Sequence, residues 1–588
     1  MRHTTRTFDE LRALLDVSAG RRPAETYLEG ATLLNVYSGE LYPANVAIAG
    51  GRIAYVGMHR GMVGPATQVF AYPGKILAPG YIDPHTHITG MATPVEFARE
   101  VLRTGTTAVL ADAMQLVLQV SPDRVAPLLE TLAAMPVRVL WAIRLHGASH
   151  LPDEEMFSLD RVRALLRLDA VRTAGEVTRW PAVYQGDEDL LRKIAEALAA
   201  GRRIDGHAPG VSPDRLAALT AAGWSSDHEA ITAADITSRV RAGLYTMLRH
   251  SSLRPDVPVL AEAVTPQRAR SGRLMLTADG PEAATIVREG YLDHVIRQAI
   301  AAGIEPVLAY QMATLAPAAY VGLDEDLGGI APGRRADIVV LDDLREPRPS
   351  TVFADGRIAA QDGVCTAVFP EIAWGDMIPA RFTPSWNPAP ALFEMPGPAA
   401  GGPAASVAFP AMVLENSVIT RRRDIVIPVR DGRLDPPPDV MRLVLLDPRG
   451  RWIVRGVLGN FARRLGGLAS TFNVSAHLIV LGQDTADMAR AARRVLELGG
   501  GIVAVEDGRT ALEVPLPIGG IMAADRFPAI AERAAALYAY LRARGYPHTD
   551  PHYTLLFLPL DSLPDLRVTY RGVWDVRRNR VLVPRQDL

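Results

Sequence analysis

Short apolar runs alternate with glycine turns in the first part of this chain. Runs of five or six β-branched, aromatic or aliphatic residues between such turns are typical of strands. They predict a small sheet here, preceded by a helix in residues 1–22. The runs are residues 31–36, 45–49 and 52–56, and similar runs at 336–341 and 349–357 are expected to complete the same sheet.

From residue 80 the pattern becomes an alternation of β-rich runs with helix-length segments rich in alanine, leucine, glutamate and arginine. Eight such units in about 240 residues are the number and length typical of a (β/α)8 barrel. We therefore predict this barrel, with a doubly wound open sheet as the alternative. The eight predicted strands are residues 81–83, 107–112, 137–143, 171–176, 203–207, 224–228, 244–249 and 274–279.

Beyond the barrel, a stretch rich in proline, alanine and glycine predicts a linker, and strands and helices alternate again after it. The predicted fold class is α/β: a TIM-type barrel with a small β domain and a C-terminal α/β domain. The predicted boundaries are 1–74 for the N-terminal helix and part of the β domain, 75–325 for the barrel, 326–383 for the remaining β domain, 384–410 for the linker and 411–588 for the C-terminal domain.

Composition narrows the classes of partner. The formal net charge is −2 and there is no long basic run, which argues against nucleic acid or an anionic membrane. The single cysteine, Cys365, can form neither an intrachain disulfide nor a thiolate metal cluster. The N-terminus lacks a signal-peptide core, and no run reaches the roughly 18 apolar residues of a membrane span. We expect a cytoplasmic protein with a small-molecule substrate that forms a homo-oligomer.

Candidate metal ligands lie at the ends of the predicted strands. His85 and His87 are two residues apart at the end of the first strand, so their imidazoles point to the same side. The ends of strands four, five, six and eight add Glu176, His207, His228 and Asp279. A lone histidine is more often a surface or core residue. Suitable residues at five strand ends favour a metal site, because active sites of such barrels lie at those ends.

Four imidazoles and two carboxylates suit one or two divalent ions such as Zn, Mn or Fe. Glu176 is the best candidate for a carboxylate that bridges two ions. A metal ion lowers the pKa of bound water to about 7, which provides hydroxide at neutral pH. Asp279 beside that water can accept its proton and pass it to a leaving nitrogen. The set predicts hydrolysis at a carbon that bears nitrogen, without an organic cofactor.

Several motifs resemble the amidohydrolase superfamily and, within it, the adenine deaminase family. They include PGYIDPHTH at 79–87, DGHAPG at 205–210, AAGWSSDHE at 221–229 and IAPGRRADIVVL at 330–341. The resemblance covers nearly the whole length, and implies a composite β-sandwich, a metal-dependent barrel and a C-terminal domain peculiar to adenine deaminases. It implies hydrolysis of adenine or a related aminopurine to release ammonia. By position it makes His85, His87, Glu176, His207 and His228 ligands of two divalent ions, and Asp279 the catalytic acid or base.

The chain departs from the family where the substrate is expected. After the His-x-His pair the family has IESSM, whereas this chain has ITGM at 88–91. After strand two the family has DPHE, whereas this chain has DAMQ at 112–115. In the C-terminal domain the family's HDSHN is matched by NVSAH at 473–477. Arg144 and His146 have no family counterpart. A site that pairs with polar groups of its ligand discriminates strongly, so such losses usually change the substrate.

The candidate substrate contacts are Thr89, Asp112, Gln115 and Arg249. Arg249 is as readily interpreted as the structural partner of an acidic residue on the rim. Glu229, beside His228, is a second candidate catalytic residue, which either contacts the substrate or orients that ligand. Two other functions stay open: hydrolysis of a different small C–N substrate such as a cyclic amide, and a non-enzymatic binding module. The intact ligand set and Asp279 argue against the second.

Overall fold

A computed structural model describes residues 6–151, 155–379, 382, 386–397 and 406–588. Its first element is the helix Phe8–Ser18, within the predicted residues 1–22, of which residues 1–5 lie outside the described residues. A capping box starts this helix. Thr7 Oγ1 accepts a hydrogen bond from Glu10 N at 3.2 Å, and Glu10 Oε2 accepts one from Thr7 N at 2.7 Å.

A nine-stranded sheet is assembled from two parts of the chain that flank the barrel in sequence. Ile338–Leu341 pairs antiparallel with Ile76–Pro79, so the later strands complete the N-terminal sheet as the β-rich runs predicted. Apolar side chains from both parts bury one face, among them Leu77 and Phe353. The nine strands are Thr26–Asn35, Glu40–Ala49, Arg52–Gly57, Gln68–Ala71, Ile76–Pro79, Ile338–Leu341, Thr351–Ala354, Arg357–Gln361 and Val364–Cys365.

Eight parallel strands form the barrel in sequence order. The eighth meets the first where Thr277 Oγ1 donates hydrogen bonds to Asp83 Oδ1 at 2.7 Å and to the His85 carbonyl at 2.6 Å. The strand boundaries differ from the predicted ones by at most three residues, so the (β/α)8 barrel is confirmed. The barrel strands, numbered one to eight below, are Tyr81–Thr86, Thr106–Asp112, Arg138–Ile143, Val171–Val177, Arg203–Gly206, Trp224–Asp227, Tyr245–Arg249 and Leu274–Thr277.

Helices between the strands cover the outside of the barrel. Glu188–Ala199 is representative, because Leu190, Ile194 and Ala197 bury one face at helical spacing and Asp187 caps its first turn. The helices from the barrel to residue 377 are Pro94–Leu102, Met114–Gln119, Val125–Ala133, Glu155–Phe157, Leu159–Leu166, Trp180–Tyr184, Glu188–Ala199, Pro213–Ala221, Ala233–Arg241, Val257–Leu260, Ala261–Ala263, Pro266–Ala269, Ala283–Glu289, Leu292–Ala301, Pro306–Ala313, Leu315–Tyr320 and Trp374–Met377.

An eleven-stranded sheet and a three-stranded sheet follow the barrel. The large sheet contains Met395–Pro396, Ser406–Leu414, Thr420–Arg430, Arg433–Leu434, Val440–Leu446, Trp452–Gly459, Gly467–Ser470, Leu478–Gly482, Gly501–Glu506, Arg509–Pro515 and Gln586–Asp587. The small one contains Leu566–Thr569, Gly572–Asp575 and Arg580–Pro584. The helices here are Pro390–Phe393, Thr485–Glu497, Phe527–Ala543 and Pro551–Phe557.

Part of the predicted linker at 384–410 has regular structure. Met395–Pro396 pairs with Arg433–Leu434, and the strand Ser406–Leu414 begins five residues before the predicted start of the C-terminal domain at 411. Phe393 and Met395 are buried. These two apolar side chains anchor a segment whose proline and alanine content alone predicts an irregular connection.

Residues 406–588, called the C-terminal unit below, lie against the ends of the barrel strands that carry the histidines. Ala523 N donates a hydrogen bond to the Met91 carbonyl at 2.7 Å, and Arg526 pairs with Glu96 at 2.7 Å. Further along the rim, His150 Nδ1 lies 2.7 Å from Asp561 Oδ2. The C-terminal unit therefore covers part of the barrel mouth. Among the described residues, no helix is both long and apolar enough to cross a membrane.

Candidate metal centre and active site

The two histidines at the end of barrel strand one face the ends of strands four and eight. His85 Nε2 lies 3.9 Å from Glu176 Oε2 and 3.4 Å from Asp279 Oδ1. His87 Nε2 lies 3.7 Å from the same glutamate oxygen and 3.5 Å from the same aspartate oxygen. Their spacing of two residues on a strand accounts for this shared direction.

His207 and His228 form a second pair at the other oxygen of Glu176. His207 Nδ1 contacts Glu176 Oε1 and lies 3.2 Å from His228 Nε2. His228 Nε2 lies 3.6 Å from that glutamate oxygen. Glu176 therefore stands between the two pairs of imidazoles and turns one carboxylate oxygen toward each. This arrangement suits a carboxylate shared by two cations.

Asp205 fixes the orientation of His85. His85 Nδ1 lies 2.9 Å from Asp205 Oδ2, and Ser226 Oγ donates a hydrogen bond to Asp205 Oδ1 at 2.7 Å. The Nε2 atom of His85 is buried and has no hydrogen-bond partner in the described structure. A carboxylate on one ring nitrogen fixes the tautomer and leaves the other nitrogen free to bind a metal ion.

Two further buried aspartates hold the loops that carry the histidines. Asp83 accepts hydrogen bonds from His85 N at 3.1 Å and from Thr277 Oγ1 at 2.7 Å. Asp227 accepts one from Ala208 N, beside His207, at 2.8 Å, and is paired with Arg239. Sequence reasoning assigned no role to Asp83, Asp205 or Asp227. Each lies within the motifs of the histidines, one or two residues before a ligand, and that position was the available signal.

The centre carries an excess of negative charge. Its charged groups are Asp112, Glu176, Asp205, Glu229 and Asp279, with Arg144 and Arg249. Five carboxylates and two guanidiniums leave three net negative charges when the histidines are neutral. Burial opposes protonation of His87, yet the carboxylates of Asp112 and Asp279 outweigh it and raise its pKa to about 9. A site that attracts positive charge so strongly suits divalent cations.

Arg144 joins two of these carboxylates. Its Nε donates to Asp112 Oδ2 at 2.8 Å, and its Nη2 donates to Glu176 Oε2 at 2.6 Å. The other Asp112 oxygen accepts a hydrogen bond from Met114 N at 2.8 Å. Burial raises the pKa of Asp112, but the Arg144 charge outweighs it and lowers the pKa to about 2. Both oxygens of this candidate substrate contact are therefore engaged within the protein.

Arg249 occupies the opposite side of the centre. Its Nη1 contacts Glu229 Oε1 and donates to Asp279 Oδ2 at 2.9 Å. Glu229 Oε1 in turn lies 3.6 Å from His207 Nδ1 and 3.7 Å from His228 Nε2. Burial disfavours the charged form of Glu229, yet Arg249 holds its pKa at about 2. These contacts favour the interpretation of Arg249 as a structural partner of acidic residues, and its contact with the substrate stays a prediction.

The other candidate substrate contacts follow strands one and two, and Gln115 lies in the helix Met114–Gln119. Thr89 is buried two residues beyond His87. Gln115 Oε1 is buried without a hydrogen-bond partner in the described structure, and Met114 beside it is buried too. After strand three, His146 is buried and its pKa lies well below the usual value, because burial disfavours the charged imidazole. Thr89 and Gln115 stay predicted substrate contacts.

Comparison with known proteins identifies the class. The amidohydrolase family matches residues 76–359, and the adenine deaminase C-terminal domain matches residues 417–580. The solved structures that resemble this chain include a beta-aspartyl dipeptidase from Fervidobacterium islandicum AW-1, at 16% identity and a TM-score of 0.46 over 59% of this chain and 99% of that one. A D-hydantoinase gives 15% identity and a TM-score of 0.45 over 58% and 96%. The protein is an amidohydrolase, a hydrolase of C–N bonds other than peptide bonds.

Relatives of known sequence identify the family within the amidohydrolases. A putative adenine deaminase of Halalkalibacterium halodurans is 33% identical over 98% of both chains. The adenine deaminase of Moorella thermoacetica is 34% identical over 96% of both, and that of Rubrobacter xylanophilus is 35% identical over 97% of this chain and 96% of its own. The chain belongs to the adenine deaminase family. Members of the amidohydrolase family bind divalent metal, and the clusters of histidine and carboxylate described above are suited to it.

Proposed function

We propose that this protein deaminates adenine or a related aminopurine by hydrolysis, converting adenine and water to hypoxanthine and ammonia. The observation that carries the proposal is the convergence of four imidazoles, Glu176 and Asp279 at one end of the barrel. The relatives named above supply the substrate class, because they match this chain over nearly its full length. Asp279 and the ligand set argue for catalysis over a binding module.

We assign five side chains to two divalent ions chosen from Mn, Fe and Zn. Several clusters of side chains in the described structure are close enough together to hold an ion. One cluster contains His85, His87 and Asp279, another contains His207, His228 and Glu229, and Glu176 lies between the two pairs of histidines. The unpartnered Nε2 of His85 and the three excess negative charges support this assignment. The ligands are His85, His87, Glu176, His207 and His228. When bound, the ions lower the pKa of a water molecule so that it attacks as hydroxide near neutral pH.

Asp279 is the proposed proton carrier. Its Oδ1 faces His85 and His87, and its Oδ2 is held by Arg249. In the proposed reaction it accepts the proton of the attacking water as the new C–O bond forms. It then gives that proton to the amino nitrogen, which leaves as ammonia when the C–N bond breaks. The proton therefore moves from water to Asp279 and from Asp279 to the leaving nitrogen, and no organic cofactor is needed for either transfer.

Glu229 is better explained as an orienting group than as a second proton carrier. It lies between Arg249 and the two imidazoles of His207 and His228. The charge of Arg249 holds the pKa of Glu229 at about 2, so this carboxyl group is ionised near neutral pH. A carboxylate with these contacts holds the neighbouring rings in place. We therefore propose that Glu229 fixes the geometry of the second histidine pair.

A second candidate function is hydrolysis of another small C–N substrate, such as a cyclic amide. The observation in its favour is that Arg144 and Met114 N engage both oxygens of Asp112. With Asp112 engaged and Met114 apolar, the loop after strand two offers few groups to the ring nitrogens of a purine. Thr89, after strand one, and the Gln115 amide, after strand two, are the proposed contacts with the substrate on this side.

The two functions are separated by the product. Manganese-loaded protein is incubated with adenine and, separately, with a cyclic amide such as a hydantoin. Hypoxanthine formed with an equal amount of ammonia supports the first function. Ring opening of the amide without deamination of adenine supports the second. A His85→Ala variant with reduced metal content is the control, because neither activity is expected to survive in it.

A further inference from the structure

We infer that Tyr553, from the C-terminal unit, is a positioning residue for Asp279, so that the active site is complete only with that unit in place. The catalytic part of this inference rests on the proposed function. Tyr553 lies in the short helix Pro551–Phe557, which packs against the mouth of the barrel. It is 274 positions beyond Asp279 in the sequence, so no local pattern connects the two.

The contact acts on the peptide that follows Asp279. The Tyr553 hydroxyl donates a hydrogen bond to the carbonyl of Gly280. Asp279 has a φ of 51° and Gly280 a φ of 71°, both in the left-handed region. Aspartate enters that region more readily than most residues, and contacts with the surrounding structure hold it there in this turn. The Tyr553 hydrogen bond is one such constraint.

A second attachment holds the same turn through Asp550, the residue that caps the N-terminus of this helix. Asp550 Oδ1 accepts a hydrogen bond from Tyr553 N at 3.2 Å, which caps the helix. Asp550 Oδ2 accepts one from Ser252 Oγ at 3.1 Å, after barrel strand seven. Ser252 Oγ in turn accepts one from Glu282 N at 3.1 Å. The turn is therefore tied to one helix directly at Gly280 and through Ser252 at Glu282.

The contact with Arg249 fixes the side chain of Asp279 but not its backbone, which these attachments hold. Arg249 holds Oδ2 of Asp279 from the side-chain end, whereas Tyr553 holds the backbone on which that side chain is mounted. The turn also packs closely on the metal side, since a Cβ added at Gly280 would lie 3.2 Å from the Cβ of His87. A displacement of about 1 Å in a reacting group can cost about 100-fold in rate. Loss of the hydroxyl is therefore expected to affect turnover more than binding.

The test compares Tyr553→Phe with Tyr540→Phe in the full-length, manganese-loaded protein. Tyr540 is a matched control, because its hydroxyl also donates a hydrogen bond in the C-terminal unit, to Glu506 at 2.9 Å. Hydrogen exchange is measured by mass spectrometry on peptides covering residues 278–290, together with kcat, KM and metal content. Tyr553→Phe is expected to exchange faster there and to lose about 10-fold in kcat, with KM within about twofold and metal content unchanged.

Ser252→Ala provides a second variant, which loosens the same turn from the barrel side and is expected to raise exchange in the same peptides. Exchange or kcat in Tyr553→Phe that matches Tyr540→Phe would overturn the inference. A fall in metal content would also overturn it, because the residue would then act on the ligands. If the unmodified protein forms no hypoxanthine, the proposed function fails, and the exchange comparison alone decides whether Tyr553 positions the turn.

Discussion

At the scale of single residues, Asp279 has partners of two kinds. Arg249 holds Oδ2 at 2.9 Å, while Oδ1 faces the Nε2 atoms of His85 and His87 at 3.4 and 3.5 Å. The first contact keeps the group ionised and oriented. The second places its free oxygen where the proposed water would lie. In the proposed account, metal binding rests on the four histidines and Glu176, and Asp279 carries the proton.

Asp279→Asn is expected to lower kcat by at least about 100-fold, because an amide cannot carry the proton. Metal content is expected to stay at the level of the unmodified protein, measured by elemental analysis. Asp160→Asn is the control, since Asp160 is exposed and pairs only with Arg163 at 2.8 Å among the described contacts. Loss of metal from Asp279→Asn would assign this residue to the ligand set in place of the proton transfer.

Arg144 is expected to matter for folding as well as for the site. Arg144→Met leaves Asp112 and Glu176 buried without their cation, which typically costs about 3–5 kcal/mol. The free energy of unfolding of metal-free protein, measured in urea, is expected to fall by that amount. Adding Asp112→Asn to the variant is expected to restore part of it. Arg163→Met, which breaks a surface pair with Glu196, is expected to cost less than about 1 kcal/mol.

At the scale of elements, the pattern of strands along the chain predicted the barrel. It did not predict which side chains the carboxylates at the strand ends pair with. Alternation along the chain fixes where a strand ends, so the residue types at the ends of strands one, four, five, six and eight indicated the centre. Which group each carboxylate pairs with depends on neighbouring strands. Asp112 as a substrate contact stays a prediction, and its pairing with Arg144, which follows the next strand, could not be foreseen from the sequence.

The same limit applies to contacts between distant elements. Tyr553 and Asp550 reach the barrel through a helix near the C-terminus, and no periodicity places that helix over strand eight. The structure within the predicted linker was missed for a related reason. Composition describes the average tendency of a segment, whereas the two buried side chains Phe393 and Met395 decide how residues 390–397 are held.

A pair of histidines links strand seven to the helix Leu292–Ala301 and gives a pH dependence. His250 and His294 have ring centroids 5.2 Å apart. Burial and the neighbouring His294 lower the pKa of His250 from 6.5 to about 4, and Glu289 opposes this only in part. The folded state therefore keeps His250 neutral where the unfolded chain would protonate it. Stability from this group is present above pH 6.5 and is lost as the pH falls from 6.5 toward 4.

His250→Gln removes that titration and keeps the backbone hydrogen bond from residue 250 N to the Thr277 carbonyl. The free energy of unfolding of the variant is expected to fall less steeply between pH 6.5 and 4 than that of the unmodified protein. Urea unfolding across this range measures the difference between the two slopes. Parallel curves for the two proteins would show that His250 is not held neutral.

At the scale of the whole molecule, the centre lies where two structural parts meet. The barrel supplies the histidines, and the C-terminal unit contacts its rim at Met91, Glu96, His150, Ser252 and Gly280. The excess negative charge lies at the middle of this assembly. Cations that bind the folded centre and not the unfolded chain should therefore stabilise the whole protein.

Chelation followed by dialysis is expected to lower the thermal unfolding temperature, since the folded centre then loses the cations that bind it and not the unfolded chain. Adding Mn²⁺ is expected to restore the unfolding temperature, whereas NaCl at the same ionic strength is expected to leave it low. Scanning calorimetry measures the shift, and His85→Ala serves as the control because its response to Mn²⁺ should be reduced. Equal unfolding temperatures with and without metal would contradict the assignment of the histidines as ligands.

The central claim is metal-dependent deamination, and the most direct measurement is the ammonia that the full-length protein releases from adenine. Samples are compared as metal-loaded, chelated and reloaded with Mn²⁺, with metal content determined for each. We expect ammonia and hypoxanthine in equal amounts from the loaded sample, none after chelation, and recovery on reloading. No ammonia from protein with its metal sites filled would contradict the claim and direct attention to another C–N substrate.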